Sequence, residues 1–376
     1  MARLLGADAE NYRFAALGLF FLGFVLVPRS GSSRRLRPLA VPFTAWFLIC
    51  AISALTPMTA NLEQTRAEVK RPADFEAFWA EVKSDLAAVP ADWERLPGAG
   101  GETDTHITDW VRFSSLDDML IYGWLALPKR LTTPAGNRGY LWLPGYSLGN
   151  PPPGPEALYP DTVTLGLNIH GHLPDTPYQH PSSSNADYIT SGIESPHSYI
   201  YQKIVGHCLR ALEVLAAQPE VSSERLIIGG MSQGGGLALV TAALAPQVNL
   251  CLADMPWLCA LELALSLLDR SKYKKMGAAR YPDARGLIAD YAEAHPEIAA
   301  DVYQTYAYFD PLSHAAHIHC PTQMSAGGRD PSCKPPTIYA AYNEMACEKE
   351  MLYLPATGHD IVPAMHEAHA KWVQHV

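Results

Sequence analysis

The hydrophobic pattern divides the chain at about residue 60. Upstream, apolar residues run without interruption: fifteen uncharged residues, FAALGLFFLGFVLVP, lie between Arg13 and Arg29, and eighteen, LAVPFTAWFLICAISALT, between Pro38 and Pro57. As helices these reach about 22 Å and 27 Å, against a hydrocarbon core of roughly 30 Å. The second is long enough for a thin or locally adapted bilayer. The linker SGSSRRLRP separates them, and with Arg29 it brings Arg34, Arg35 and Arg37 close together. Under the positive-inside rule that linker is cytoplasmic, which sends everything after Pro57 to the far side of the membrane. Three readings of residues 1–60 stay open: a membrane anchor of one or two apolar helices, a secretory signal built on residues 34–60, and a pair of core or interfacial helices. The anchor and signal readings put the rest of the chain, membrane-anchored or secreted, on the non-cytoplasmic side. Under every reading residues 61–376 form the working domain.

After residue 60 the pattern changes. Residues 72–87, PADFEAFWAEVKSDLA, space Phe75, Phe78, Trp79 and Val82 at helical intervals and predict an amphipathic helix. Short extended runs follow: HITDWVRF, MLIYGWLALP, GYLWLP and DTVTLGLNI, rich in β-branched and aromatic residues and bounded by Gly and Pro. Ile200, Ile204, Cys208, Leu212 and Leu215 then mark one long helix. Next come the apolar run RLIIGG, a Gly-rich turn and the helical GGLALVTAALA, and the alternation continues through VNLCLADMP, CPTQMSAGG and KEMLYLPATG. Apolar runs alternating with helices predict an α/β domain with a mostly parallel sheet covered on both faces. Residues 258–310, charged and helical, break the alternation and read as an insertion lying over the sheet.

Charge and cysteines narrow the function. The net charge is −10; residues 1–60 hold six Arg and two acids, which leaves −14 on the remainder. Such a balance argues against a nucleic-acid partner. The seven Cys, at irregular spacing and with no CxxC pair, signal neither a disulfide framework nor a thiolate zinc site. They read mostly as small apolar core residues.

The sharpest chemical signal is Gly230-Met231-Ser232-Gln233-Gly234, a G-x-S-x-G between a predicted strand and a predicted helix. A serine on such a strained turn needs glycines at the elbow, Gly230 and Gly234, where bulk would strike a neighbouring strand or helix. The α/β-hydrolase fold supplies partners in the order Ser, acid, His. His359, in T-G-H-D after the run MLYLPA, is the base. Two acids obey the order: Asp330, ending QMSAGGRD, and Asp254, ending VNLCLAD. Asp330 is favoured because it follows the strand next to the one that carries His359, and Asp254 reads as a buried structural carboxylate. The oxyanion hole is expected to use the backbone N–H of Gln233 and of Tyr146, in Leu143-Pro144-Gly145-Tyr146. His170-Gly171-His172 and His317-Ile318-His319 have metal-like spacing, but no acid or third His accompanies them at fixed distance, so no metal is assigned. Asp360 and Glu367 read as solvated or helix-capping, and no phosphate-binding glycine loop occurs.

These residues resemble the acetyl xylan esterases and cephalosporin-C deacetylases, carbohydrate esterase family seven, over about residues 70–376. RPADFEAFW resembles the family's opening P-x-D-F-x-x-F-W, and GGMSQGGGLAL its G-x-S-Q-G-G. DYITSGIESPHSYIYQKIVGHCLRALEVL, ADMPWL, the YFDPLSHA region, PPTIYAAYN and GHDIVPA are similar to other family segments. The resemblance implies Ser232 as nucleophile, Asp330 as acid, His359 as base, and Tyr146 and Gln233 as oxyanion donors. It implies no metal or organic cofactor, a small acetylated carbohydrate substrate, and a homo-oligomer, since the family tends to form hexameric rings. Two departures touch substrate choice: His170-Gly171-His172 stands where the family has R-G-Q, and Pro144-Gly145-Tyr146 where it has H-G-Y. The expected function is removal of acetyl groups from acetylated sugars or xylo-oligosaccharides. The alternatives are another hydrolase on this fold, for small esters or peptides, and a membrane-tethered homologue that binds without turnover.

Overall fold

The computed structural model describes residues 61–131, 133, 135–146, 158–170, 188–271 and 282–376. The apolar runs of residues 1–60, and every reading placed on them, lie outside that set. Among the described residues no helix is long and apolar enough to cross a membrane.

Helix α1 (Phe75–Ala88) forms where the period predicts it and buries Phe75, Phe78, Trp79, Val82 and Leu86. Trp79 Nε1–H donates to the Tyr308 carbonyl (3.2 Å), and the indole packs edge-on against Phe309 and His314. This aromatic cluster seats α1 on the stretch that leads into the last third of the sheet.

The strands are β1 (Glu94–Leu96), β2 (His106–Ser114), β3 (Leu120–Pro128), β4 (Asn137–Leu143), β5 (Thr162–Leu167), β6 (Val221–Met231), β7 (Val248–Asp254), β8 (Thr322–Gly327) and β9 (Lys349–Leu354). Together they make a sheet in the order β1-β2-β3-β5-β4-β6-β7-β8-β9. Strands β4 to β9 run parallel, whereas β1, β2 and β3 join antiparallel at one edge. The eight longer strands fall on the runs read from the sequence. Strand β1 was not anticipated, because three residues with two exposed carry no apolar alternation.

Alternate residues of the parallel strands enter two different cores, as a period of two requires. Leu141, Ile228, Cys251 and Ala253 face the larger one, with helices α2 (Ile200–Ala216) and α3 (Gln233–Leu244). Tyr140, Ile227, Leu250 and Leu252 face the smaller one, where Trp372 and Val373 pack. Between β7 and β8 the chain forms α4 (Leu261–Ser266), α5 (Gly286–Ala294) and α6 (Ala299–Ala307), and it adds no strand among the described residues of 258–310. Helices α7 (Pro335–Glu344) and α8 (Pro363–Val373) follow β8 and β9, and α8 brings Trp372 and Val373 to the second face. Cys208, Cys251, Cys259, Cys320 and Cys333 are buried and Cys347 is half-buried, all with free thiols.

Two histidines are buried without charge. Burial lowers the pKa of His207 and of His314 from 6.5 to about 3. Above pH 6.5 neither binds a proton in either state. Between 6.5 and about 3 only the unfolded chain takes them up, so stability falls as pH falls, by up to about 1.4 kcal/mol per pH unit for each histidine. Urea unfolding is expected to show a midpoint that drops steadily from pH 6.5 to 5, and less steeply in His207→Gln. An equally steep drop in that variant would acquit His207.

Candidate active site

Ser232 ends the strand–turn segment and caps α3 in a strained conformation, φ +60° and ψ −122°. A non-glycine residue there costs of order 1–3 kcal/mol, so its surroundings must hold it. The Ser232 N–H donates to the Asp254 carbonyl at the end of β7 (2.9 Å). Its carbonyl accepts from Trp257 N–H (2.8 Å) and Gly236 N–H (3.0 Å). Strand β4 explains the glycines. A Cβ on Gly230 would lie 2.6 Å from the Leu143 carbonyl oxygen, and one on Gly234 would lie 2.1 Å from it.

Gln233 begins α3, so its backbone N–H has no acceptor inside the helix and lies at the positive end of the dipole. Its side chain is wholly buried, and Oε1 accepts from the hydroxyls of Tyr188 (2.9 Å) and Tyr201 (2.6 Å). The Tyr146 ring packs 4.4 Å from that of Tyr188 and 4.8 Å from that of Trp257, and its hydroxyl accepts from Ile189 N–H (3.2 Å). The two residues expected to serve an oxyanion thus share Tyr188 as a neighbour.

Asp330 and His359 come from the turns that follow β8 and β9. Backbone bonds tie these turns together, Gly328 N–H to the Leu354 carbonyl (2.9 Å) and Arg329 N–H to the Thr357 carbonyl (3.0 Å). The approach is so close that a Cβ on Gly327 would lie 2.5 Å from the Gly358 carbonyl oxygen. His359 Nδ1–H donates to Asp330 Oδ2 at 2.7 Å, which leaves Nε2 as the basic nitrogen. Asp330 Oδ1 accepts from the N–H groups of Ser332 and Cys333, both at 2.8 Å. The Asp330 side chain is shut off from solvent while that of His359 is 29% exposed, so the carboxylate is enclosed and the imidazole is reachable.

The serine turn and the Asp–His pair meet at Cys333. Its Sγ lies 4.0 Å from Ser232 Oγ, and it shares a space less than 4.8 Å across with an Asp330 carboxylate oxygen and a His359 ring nitrogen. Burial, with the Asp330 charge second, pushes this thiol well above the usual cysteine range, so it is an uncharged neighbour. Among the described residues no hydrogen bond joins Ser232 Oγ to His359, a looseness common before substrate closes such a site.

The other candidate acid is occupied elsewhere. Asp254 is buried, accepts from Ser325 Oγ (2.7 Å), and lies 3.1 Å from Nε2 of the buried His369. The His170 N–H donates to Asn168 Oδ1 (3.2 Å), and its ring sits 4.5 Å edge-on to Tyr188. His172 lies outside the described residues. His317 contacts Arg71 and lies 3.7 Å from Glu76. Asp360 and Glu367 are exposed.

Sequence reasoning passed over Cys333, although it stands three residues after Asp330. It also passed over Asp283 and Arg285, which are buried and paired at 2.7 Å, with Trp257 Nε1–H donating to Asp283 (2.9 Å). Burial alone would lower the Arg285 pKa; the Asp283 carboxylate outweighs it and holds the guanidinium above its ordinary range. Nothing in the charged stretch around Arg285 marks that one arginine as buried. A cavity of about 760 Å³ lies apart from these groups, lined by Arg66, Lys70, Tyr303 and Leu312 among others.

The sheet, the strained serine and the Asp–His pair define an α/β protein laid out for nucleophilic chemistry at the carboxyl edge of a mostly parallel sheet. The particular family follows from comparison: residues 54–376 match the acetyl xylan esterase (AXE1) family, and the chain belongs to it. Acetyl esterase Axe7A of Xylanibacter ruminicola is 28% identical over 307 residues, 79% of this chain and 65% of that protein, so the chain spans just under two thirds of that relative's length. The solved acetyl xylan esterase from Paenibacillus sp. R4 is 27% identical with a TM-score of 0.73, covering 84% of this chain and 98% of that one. Acetyl xylan esterase 1 from Thermoanaerobacterium sp. JW/SL YS485 shares the fold at 20% identity and a TM-score of 0.72, with the same coverage, 84% and 98%.

The two acids separate by mutation. Asp330→Asn is expected to lower kcat/KM on a chromogenic acetate ester by about 10⁴-fold, the scale of a misoriented triad histidine. Asp254→Asn is expected to lower the unfolding midpoint instead, since it breaks a buried pair, and to leave the rate within about tenfold. The opposite ranking would make Asp254 the acid.

Proposed function

We propose that this chain is a serine carboxylic-ester hydrolase of the α/β-hydrolase fold that removes acetyl groups from acetylated sugars or xylo-oligosaccharides. One observation carries the reading: the 2.7 Å hydrogen bond between His359 and Asp330, in a site whose serine is held at φ +60° on a strand–helix turn. Membership of the acetyl xylan esterase family supports acetate as the acyl group. So do the relatives at 28% and 27% identity, which are named as an acetyl esterase and an acetyl xylan esterase.

In this reading Ser232 Oγ attacks the acetyl carbonyl and its proton passes to His359 Nε2. Asp330 keeps the imidazole in the required tautomer and stabilises the cation that forms. The N–H groups of Gln233 and Tyr146 receive the oxyanion, a contribution of about 3–4 kcal/mol for one such donor. The sugar hydroxyl leaves with the proton from His359, and the acetyl group stays on Ser232. Water then attacks with His359 as base, releases acetate and restores the hydroxyl. The −14 charge of residues 61–376 neither attracts nor repels an uncharged acylated sugar.

A panel of acetylated xylo-oligosaccharides, acetylated monosaccharides, longer acyl esters and peptide amides tests the substrate class. Turnover is expected on the acetylated sugars and lost in Ser232→Ala at an unchanged unfolding midpoint. Amide cleavage without ester cleavage would make the chain a peptidase, and no turnover of any member would leave a binding homologue.

The same proposal places the domain on the non-cytoplasmic side, tethered or exported by residues 1–60. Its support is the arginine linker between two apolar runs and the start of the family match at residue 54, upstream of which nearly all of both runs lie. The full chain is expected to fractionate with membranes or to be cleaved and exported. Recovery of the whole chain as a soluble, uncleaved species would defeat this placement.

A further inference from the structure

We propose that Arg285 is a positioning residue for the catalytic acid: held by Asp283, it braces the turn that aims Asp330 at His359 and, through Trp257, ties that turn to the backbone of Ser232. The inference rests on the roles proposed above for those three residues.

The Arg285 guanidinium is fully buried, and each of its three nitrogens donates a hydrogen bond. Nε donates to both Asp283 oxygens (2.9 and 3.0 Å) and Nη2 to Asp283 Oδ2 (2.7 Å). Nη1 donates to the Cys259 carbonyl (2.5 Å) and Nη2 also to the Ser332 carbonyl (3.3 Å). Ser332 is the link to the acid. Its N–H donates to Asp330 Oδ1, its carbonyl accepts from Arg285, and its hydroxyl donates to the Pro282 carbonyl at 2.5 Å. One residue of the acid turn is therefore held at three points, two of them by the segment that contains the ion pair. Rotation of this turn would swing Asp330 Oδ2 away from His359 Nδ1.

Asp283 carries the second arm. Its Oδ1 accepts from Trp257 Nε1–H, and the Trp257 backbone N–H donates to the Ser232 carbonyl. The indole also lies 5.9 Å from the guanidinium. A buried ion pair is a poor device for stability, since apolar residues of the same volume serve as well. The guanidinium fork offers something apolar residues lack, fixed donor directions toward one carboxylate and two carbonyls. None of its hydrogen bonds reaches the Ser232, Asp330 or His359 side chains, so it acts through Ser332 and Trp257.

The test uses Arg285→Lys and Ser332→Ala in the full chain. It reads kcat and KM on a small acetate ester, and the downfield proton resonance of His359 Nδ1–H on Asp330. Displacement of a reacting group by about 1 Å costs up to ~10²-fold, so folded Arg285→Lys is expected to lose ~10- to 10²-fold in kcat, with KM within ~3-fold and the proton resonance shifted. Ser332→Ala, which removes only the tie to Pro282, is expected to show a smaller loss of the same kind. Wild-type kcat with an unshifted proton in folded Arg285→Lys overturns the proposal. So does a kcat loss with an unshifted proton, because the loss then does not run through the acid. If Arg285→Lys fails to fold, the double variant Asp283→Asn/Arg285→Met, which removes the fork and leaves no buried charge unpaired, decides by the same two readouts. Failure of the underlying reading is separate: it shows as Ser232→Ala retaining turnover.

Discussion

The backbone at Ser232 is bent into a conformation that a side chain resists, and the site depends on that bend being held. Two neighbouring strands hold it. Strand β7 supplies the carbonyl of Asp254 for the Ser232 N–H, and β4 presses its Leu143 carbonyl so closely that Gly230 and Gly234 have no room for a Cβ. Both strands flank β6 in the sheet, so the bend follows from sheet order and not from the local sequence alone. It ends the strand, starts α3 and leaves the hydroxyl half-buried at the edge where parallel strands finish. Loops after β4, β8 and β9 open at that same edge, which is why Tyr146, Asp330 and His359 come from distant parts of the chain to one place.

Asp330 and His359, the acid and base of the proposed mechanism, differ in exposure. Asp330 is closed off and accepts three hydrogen bonds, two from backbone amides and one from His359. A carboxylate so satisfied keeps its orientation. His359 keeps one edge open, as the proton transfer proposed for it requires. Cys333, the other nucleophilic atom in the space, is silenced by burial. Among the described residues, the hydroxyl proposed as nucleophile thus has an uncharged thiol as its neighbour.

Much of this was legible before any fold was in hand, and the parts that were not share a physical cause. Strands β2 to β9 announce themselves by apolar runs, α1 and α2 by helical periods, and the elbow by its glycines, because each is decided by residues near in sequence. The antiparallel edge of β1, β2 and β3 is decided by pairing, and three mostly exposed residues in β1 give no pattern to read. Arg285 illustrates the same limit at the site. In sequence it is one cation among several in a charged stretch, and only the packing of Asp283, Cys259 and Ser332 around it makes it a buried group with a partner for each nitrogen. Nor does any local feature say that Cys333 will touch Ser232, 101 residues earlier in the chain.

The choice between Asp254 and Asp330 shows how sheet geometry resolves what chain order leaves open. Both follow the serine, both precede the histidine, and both stand at or just beyond the end of a strand. His359 follows β9, whose neighbour is β8, with β7 one place further on. Adjacent strands lie about 4.8 Å apart, so a carboxylate after β8 needs only its own length to reach the imidazole, whereas one on β7 must cross roughly twice that distance. Asp254 instead turns to what is near it in the dry interior, accepting from Ser325 on the next strand and lying 3.1 Å from His369 Nε2 on α8. A buried acid at a strand end is thus committed by the nearest strand that offers it a donor, and the proposed reading takes the acid one strand away from the histidine for the site.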